Sequence, residues 1–188
     1  MQKSNKIIYA FIDSQNLNLA IRDQGWVLDF ARFKKYLDEK HCITKVYLFI
    51  GFNINNQRLY SFLQEAGFVL IFKPCMFLPD GKVKGNVDAE LVLHTMMQCN
   101  NYHEALVVTG DGDFACLIRY LKENKKLYRL MVPNSKKYST LLRDAAADKI
   151  DFCKSSFGTI ITVFYLKPEP FPPNDANIPI HYHTKQKL

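Results

Sequence analysis

The run Val107-Val108-Thr109-Gly110-Asp111-Gly112-Asp113-Phe114 puts two carboxylates one residue apart on a glycine-spaced turn between two apolar stretches. Like charges so close repel, and their protonation equilibria shift upward unless something positive sits among them. Two further acids stand in comparable places. Asp13 follows the apolar run Ile7–Ile12, and Asp88 opens the helix-patterned segment VDAELVLHTMMQC, with Glu90 two residues on. Carboxylate oxygens gathered from several positions are the ligands that hard Mg²⁺ or Mn²⁺ ions prefer. Two such ions about 3.5–4 Å apart can clamp the attacking and leaving oxygens of a phosphodiester displacement. Asp13, Asp88, Asp111 and Asp113 are therefore the candidate metal ligands and catalytic groups. Gly112 is read as the residue that lets the backbone turn between Asp111 and Asp113 without a side chain in the way.

Each acid alone has a simpler explanation. Asp88 at a helix start is a natural cap, worth about 1 kcal/mol, and Gly-Asp-Gly-Asp is turn chemistry. Three separate caps explain the set less well than one shared site does, provided the fold brings them together.

The elements that would do so follow from hydrophobic patterning. Apolar runs at 7–12, 45–52, 68–73, 104–110 and 126–133 read as buried strands. Between them, 16–24, 29–40, 55–67, 87–99, 112–124 and 135–149 carry helical spacing, with Asp29 and Ser135 as candidate caps and Gly25 and Gly67 as stops. A polar, hairpin-like stretch, PDGKVKGN at 79–86, interrupts the alternation. Strands alternating with helices of about 10–13 residues imply right-handed βαβ units, hence an α/β fold with a mainly parallel sheet covered by helices on both faces. In such sheets the ligand crevice lies at the carboxyl ends of the strands, where strand order reverses. Asp13 and the Asp111–Asp113 turn both belong to that edge.

At 188 residues, with 48% hydrophobic and 13% aromatic side chains, the chain suits one domain over about residues 1–153. Residues 154–188 are expected to add an edge strand at 158–166 and a Pro-rich tail. The net charge of +7 permits an anionic partner such as nucleic acid. Five scattered cysteines without a CxxC pair are expected to be free thiols. The absence of a long apolar window or a signal-peptide pattern points to a cytoplasmic protein without a membrane span.

Three segments, YAFIDSQNLNLAI, KVKGNVDAELVLH and ALVVTGDGDFACLIRYL, resemble the NYN family of PIN-like ribonuclease domains, in the family's order and spacing over about residues 6–152. The resemblance implies a PIN-like three-layer sandwich and Mg²⁺- or Mn²⁺-dependent hydrolysis of RNA phosphodiester bonds. It makes Asp13 a direct metal ligand, Asp88 the acid of the KGxD-type segment, and Asp111 and Asp113 the paired acids of the GDxDF turn. Asn16 would hold a ligand water or phosphate. Thr109 could donate its hydroxyl to a carboxylate or phosphate, and Lys84 could contact phosphate, as could Lys82, Arg119, Lys136 and Lys137. One extra residue in KGNVD sets this chain apart from the family pattern, which leaves Glu90 as a stand-in for Asp88.

Other readings compete. A haloacid-dehalogenase-like phosphatase needs a second aspartate two residues after the one that ends strand one, and Gln15 stands there. A non-catalytic RNA-binding or regulatory module of the same fold, and a nuclease acting on DNA, stay open, as does a homodimer.

Overall fold

The structure is a computed structural model that describes residues 6–74, 76–77, 83–84 and 87–153. Six strands form one parallel sheet: β1 (Ile8–Asp13), β2 (Lys45–Phe52), β3 (Phe68–Pro74), β6 (Glu104–Val108), β7 (Leu127–Val132) and β8 (Ile150–Phe152). Their spatial order is β3-β2-β1-β6-β7-β8, with every neighbouring pair parallel. Between β3 and β6, two short antiparallel strands, β4 (Met76–Phe77) and β5 (Val83–Lys84), form a separate ribbon. This ribbon answers to the hairpin expected near 79–86, with Val83–Lys84 inside that stretch and Met76–Phe77 just ahead of it.

The helices are α1 (Ser14–Arg22), α2 (Phe30–His41), α3 (Gln57–Glu65), α4 (Asp88–Met97), α5 (Ala115–Glu123) and α6 (Thr140–Ala146). Strand alternation divides them between two faces. Ala10 and Ile12 of β1, with Leu48 and Ile50 of β2, pack beneath α1, α2 and α3 through Leu17, Ile21, Phe33, Leu37 and Leu63. Phe11, Phe49 and Val107 turn the other way and pack against Leu91 of α4, Leu117 and Ile118 of α5, and Leu142 of α6. The result is the expected three-layer α/β sandwich. Burial on both faces explains why β1, β2 and β6 read as continuous apolar runs.

Local signals behave as their chemistry dictates at most ends. Asp29 caps α2 by accepting the Arg32 N–H at 3.0 Å. Gly25 and Gly67 adopt positive φ, at 77° and 93°, where the chain leaves α1 and α3. Two expectations need correction. The last helix starts at Thr140 rather than Ser135, because Ser139 is its cap, its hydroxyl accepting the Leu141 N–H. Residues 150–152, which the apolar runs read from sequence did not include, form the parallel edge strand β8 beside β7. The expected strand at 158–166 and the Pro-rich tail lie outside the described residues. Among the described residues, no helix is long and apolar enough to cross a membrane, and Cys42, Cys99, Cys116 and Cys153 are free thiols.

Candidate metal centre

Strand order reverses between β1 and β6: the chain runs outward from β1 to β2 and β3, then returns to lay β6 on β1's other side. The carboxyl ends of these two strands therefore open one crevice. Asp13 is the last residue of β1 and shares Phe11's side of the sheet by the two-residue period, which aims it toward α4. Asp88 is the first residue of α4. Asp111 and Asp113 lie in the turn after β6, where a single 3₁₀ turn (Gly112–Phe114) leads into α5.

Asp88, Asp111 and Asp113 each offer a carboxylate oxygen within 4.8 Å of the others. Octahedral Mg²⁺ holds oxygens at about 2.0–2.1 Å, so opposite ligands stand roughly 4.2 Å apart. The three oxygens thus lie within a small side-chain adjustment of a shared cation, and an all-carboxylate donor set suits a hard ion. Asp13 stands behind this group. It is 5% exposed, and one of its oxygens accepts the Asn16 N–H at 3.0 Å, capping α1. Burial, joined by the charges of Asp88 and Asp111 and opposed by the pull of backbone N–H groups, raises its carboxyl to about 6.

The acidic turn is held in place from three directions. The Asn16 side-chain oxygen accepts the Gly110 N–H at 2.7 Å, joining the start of α1 to the turn. The Asp111 N–H donates to the Thr109 hydroxyl at 3.1 Å, and Asp111 in turn accepts the Asp113 N–H at 3.0 Å. From the far side, the Ser139 N–H donates to the Gly110 carbonyl at 3.1 Å. A Cβ at Gly112 would lie 2.4 Å from the Ser139 hydroxyl oxygen and 2.9 Å from its Cβ. Gly112 is therefore required by the close approach of Ser139, and its φ is not in the left-handed region. The sequence reading, that no side chain may stand in the way at this turn, holds, and Ser139 is the neighbour that demands it. Ser139 carried no signal beyond a hydroxyl before an apolar run, because the partner that makes it matter is 27 positions away.

The remaining candidates divide. Asn16 and Thr109 both contact the turn through its backbone, Thr109 from a fully buried position. Lys84 belongs to β5, and its side chain lies outside the described residues, as does all of Lys82. Arg119 and Lys136 are exposed, while Lys137 pairs with Asp23 at 3.0 Å. Glu90 is committed elsewhere: it accepts from Lys73 at 2.9 Å. Burial is the largest single influence on Glu90 and raises its carboxyl. The Lys73 hydrogen bond and charge, with a backbone N–H and His94, outweigh it and hold the group below the usual range. His94 packs its ring against Phe49, with centroids 5.8 Å apart.

Comparison with known proteins agrees with this architecture. The sequence model of the NYN domain matches residues 8–154. A protein of unknown function from Vibrio parahaemolyticus, solved by crystallography, superposes with a TM-score of 0.67 at 20% identity. The match covers 86% of this chain and 100% of that one, and at that identity it speaks for the fold alone. No curated protein matches the chain at a significant level.

Proposed function

The chain belongs to the NYN domain family, within the PIN-like nuclease superfamily, and from that premise we propose that it is a divalent-metal-dependent ribonuclease. The observation that carries this reading is the meeting of Asp88, Asp111 and Asp113 within 4.8 Å, beside a buried Asp13 whose carboxyl is raised by burial and by the charges of Asp88 and Asp111. Mg²⁺ or Mn²⁺ is the cofactor that donor set suits, with Asp88, Asp111 and Asp113 holding it and Asp13 completing the site. A bound ion there supplies Lewis acidity toward a phosphoryl oxygen and lowers the pKa of water.

The chain's own groups do the rest. Asp13, fixed by the Asn16 N–H, presents a negative charge from a nearly dry position, where electrostatic attraction for a cation is strongest. Asn16, Thr109 and Ser139 hold the Gly110–Asp113 backbone, so the two turn carboxylates need little reorganisation when a cation and substrate arrive. Exposed cations at Lys136 and Arg119, and Lys84 on the β4–β5 ribbon, are the groups we assign to phosphate contact. The excess of positive charge over the whole chain, +7, draws a polyanion toward a centre that is itself acidic.

The test is incubation of end-labelled RNA and DNA strands of the same sequence with the full chain in Mn²⁺, Mg²⁺ or EDTA. Cleavage of RNA that needs the ion supports the reading. Metal-dependent cleavage confined to DNA moves the substrate class. RNA binding with no cleavage under either ion replaces the enzyme by a binding module.

A further inference from the structure

The first turn of α4 carries two acids that face opposite ways. Val87 and Leu91 form its buried line, 4% and 0% exposed, and pack on the same face of the sheet as Phe11 and Phe49. At about 100° per residue, Asp88 and Glu90 leave the helix from opposite flanks of that line. Asp88 meets Asp111 and Asp113, whereas Glu90 accepts from the Lys73 ammonium at 2.9 Å.

Strand register places Lys73 for this contact. Asp13, Phe49 and Ile71 stand side by side across β1, β2 and β3. Lys73 follows Ile71 by two residues, so it points to the same face, the one that α4 covers. It is the last residue but one of β3, at the carboxyl edge that also holds the acidic centre. The ion pair therefore ties the start of α4 to a strand two places away from Asp13, on the flank remote from the other acids.

That position gives the pair a mechanical role. The N-cap of α4, Val87, makes no side-chain hydrogen bond. Asp88 stands among like charges that push it away from Asp111 and Asp113. Rolling α4 by a fraction of a turn about its axis would relieve the repulsion and carry Asp88 out of reach of a shared cation. The same roll would pull Glu90 off Lys73. With side chains 28% and 31% exposed, the pair contributes little to overall stability. Its effect on the position of Asp88 can thus be separated from any effect on folding.

We propose that Lys73 is a positioning residue for the acidic centre, acting through Glu90. Their ion pair braces the first turn of α4 from the flank opposite Asp88 and keeps that carboxylate at the shared cation position. This rests on the reading of the centre as a divalent-ion site.

The test compares Mn²⁺ affinity, by calorimetry and electron paramagnetic resonance, for the full-length wild type, Lys73→Met and Lys73→Arg. Methionine keeps an apolar stem and removes the ammonium. Loss of a positive charge near a cation site would, by plain electrostatics, tighten Mn²⁺ binding. Bracing predicts the reverse, a loss of about fivefold or more, because groups that orient metal ligands govern affinity. Lys73→Arg keeps the charge and is expected to stay within about threefold of the wild type. Lys34→Gln, which breaks the Lys34–Asp38 pair on the opposite face of the sheet, is the control and should bind Mn²⁺ as the wild type does.

Hydrogen exchange in EDTA reads the brace without the metal. In Lys73→Met and in Glu90→Gln, amides from Leu91 through the next turn of α4 should exchange faster, while those of β1 and β6 stay protected and show that the fold is intact. Lys73→Met that binds Mn²⁺ as tightly as the wild type or more so, or α4 exchange unchanged in both variants, overturns the proposal and leaves the metal-centre reading standing. Lys73→Arg as weak as Lys73→Met also overturns it, by tracing the loss to the lysine's shape rather than its charge. No saturable Mn²⁺ binding by the wild type contradicts the metal-centre reading and the proposal together.

Discussion

The side-chain oxygen of Asn16 accepts the backbone N–H of Gly110 at 2.7 Å, across 94 positions of sequence. This bond ties the corner after β1 to the acidic turn after β6, so the two halves of the centre share one rigid joint. Asn16→Ala leaves a part-buried N–H without its acceptor, an expected loss of about 1–3 kcal/mol. For a chain of this size that is a fall of several degrees in the unfolding midpoint. Nuclease activity is expected to drop more than stability explains, by about tenfold or more, because the turn carboxylates lose their fixed positions. A variant with wild-type turnover would show that the joint is dispensable.

Asp13 gives the metal-free protein a pH dependence of definite sign. Its carboxyl is raised from 3.8 to about 6, chiefly by burial and then by the charges of Asp88 and Asp111. Between those values the folded state holds a proton that the unfolded chain has released. This contribution to stability is full below pH 3.8 and is lost as pH rises through about 6, roughly 3 kcal/mol in all. Asp13→Asn is therefore expected to stabilise the protein in EDTA at pH 8 and to matter little at pH 4. Unfolding midpoints across that range check it.

His41 works in the opposite direction. It is 5% exposed, and its two ring nitrogens lie 3.2 Å from the Tyr36 hydroxyl and 3.4 Å from that of Tyr128. Burial lowers its pKa below 6.5, with Lys40 and Arg129 adding to the effect and Asp151 opposing it. The folded state thus prefers neutral imidazole, and its contribution is present above pH 6.5 and lost as pH falls through the lower folded value. His41→Gln is expected to flatten the acid limb of the stability profile, measured by urea unfolding between pH 5 and 8.

Gly112 and Ser139 should behave as one unit. Gly112→Ala places a methyl group 2.4 Å from the Ser139 hydroxyl oxygen and 2.9 Å from its Cβ, an overpacking expected to cost about 1–3 kcal/mol. Ser139→Gly removes both atoms but also the cap of α6, at about 1 kcal/mol or less. The double variant is expected to be more stable than the two single losses added together. A double-mutant cycle by chemical denaturation measures that coupling, and simple additivity would refute the contact.

What could be read from the sequence was whatever depends on near neighbours. The apolar runs of β1, β2 and β6 announced buried parallel strands, and Asp29 announced the start of α2. The alternation put Asp13 and the Asp111–Asp113 turn on one edge of a parallel sheet, and the resemblance carried by the three short motifs joined Asp88 to them. What stayed hidden depends on partners far away in sequence. Asn16 holding Gly110, Ser139 excluding a side chain at Gly112, and Lys73 taking Glu90 away from the centre are meetings only the fold creates. The strand β8 was hidden for another reason. Three residues, Ile150–Phe152, are too few for a period to show.

The most direct test of the central claim is whether the converged acids hold a divalent ion. Mn²⁺ binding to the full chain, followed by calorimetry and by electron paramagnetic resonance at pH 7.5, should saturate at a discrete site. Asp111→Asn and Asp88→Asn, confirmed folded by circular dichroism, should each weaken that binding by tenfold or more. Wild-type Mn²⁺ affinity in both variants, or no saturable binding to the wild type, would contradict the account.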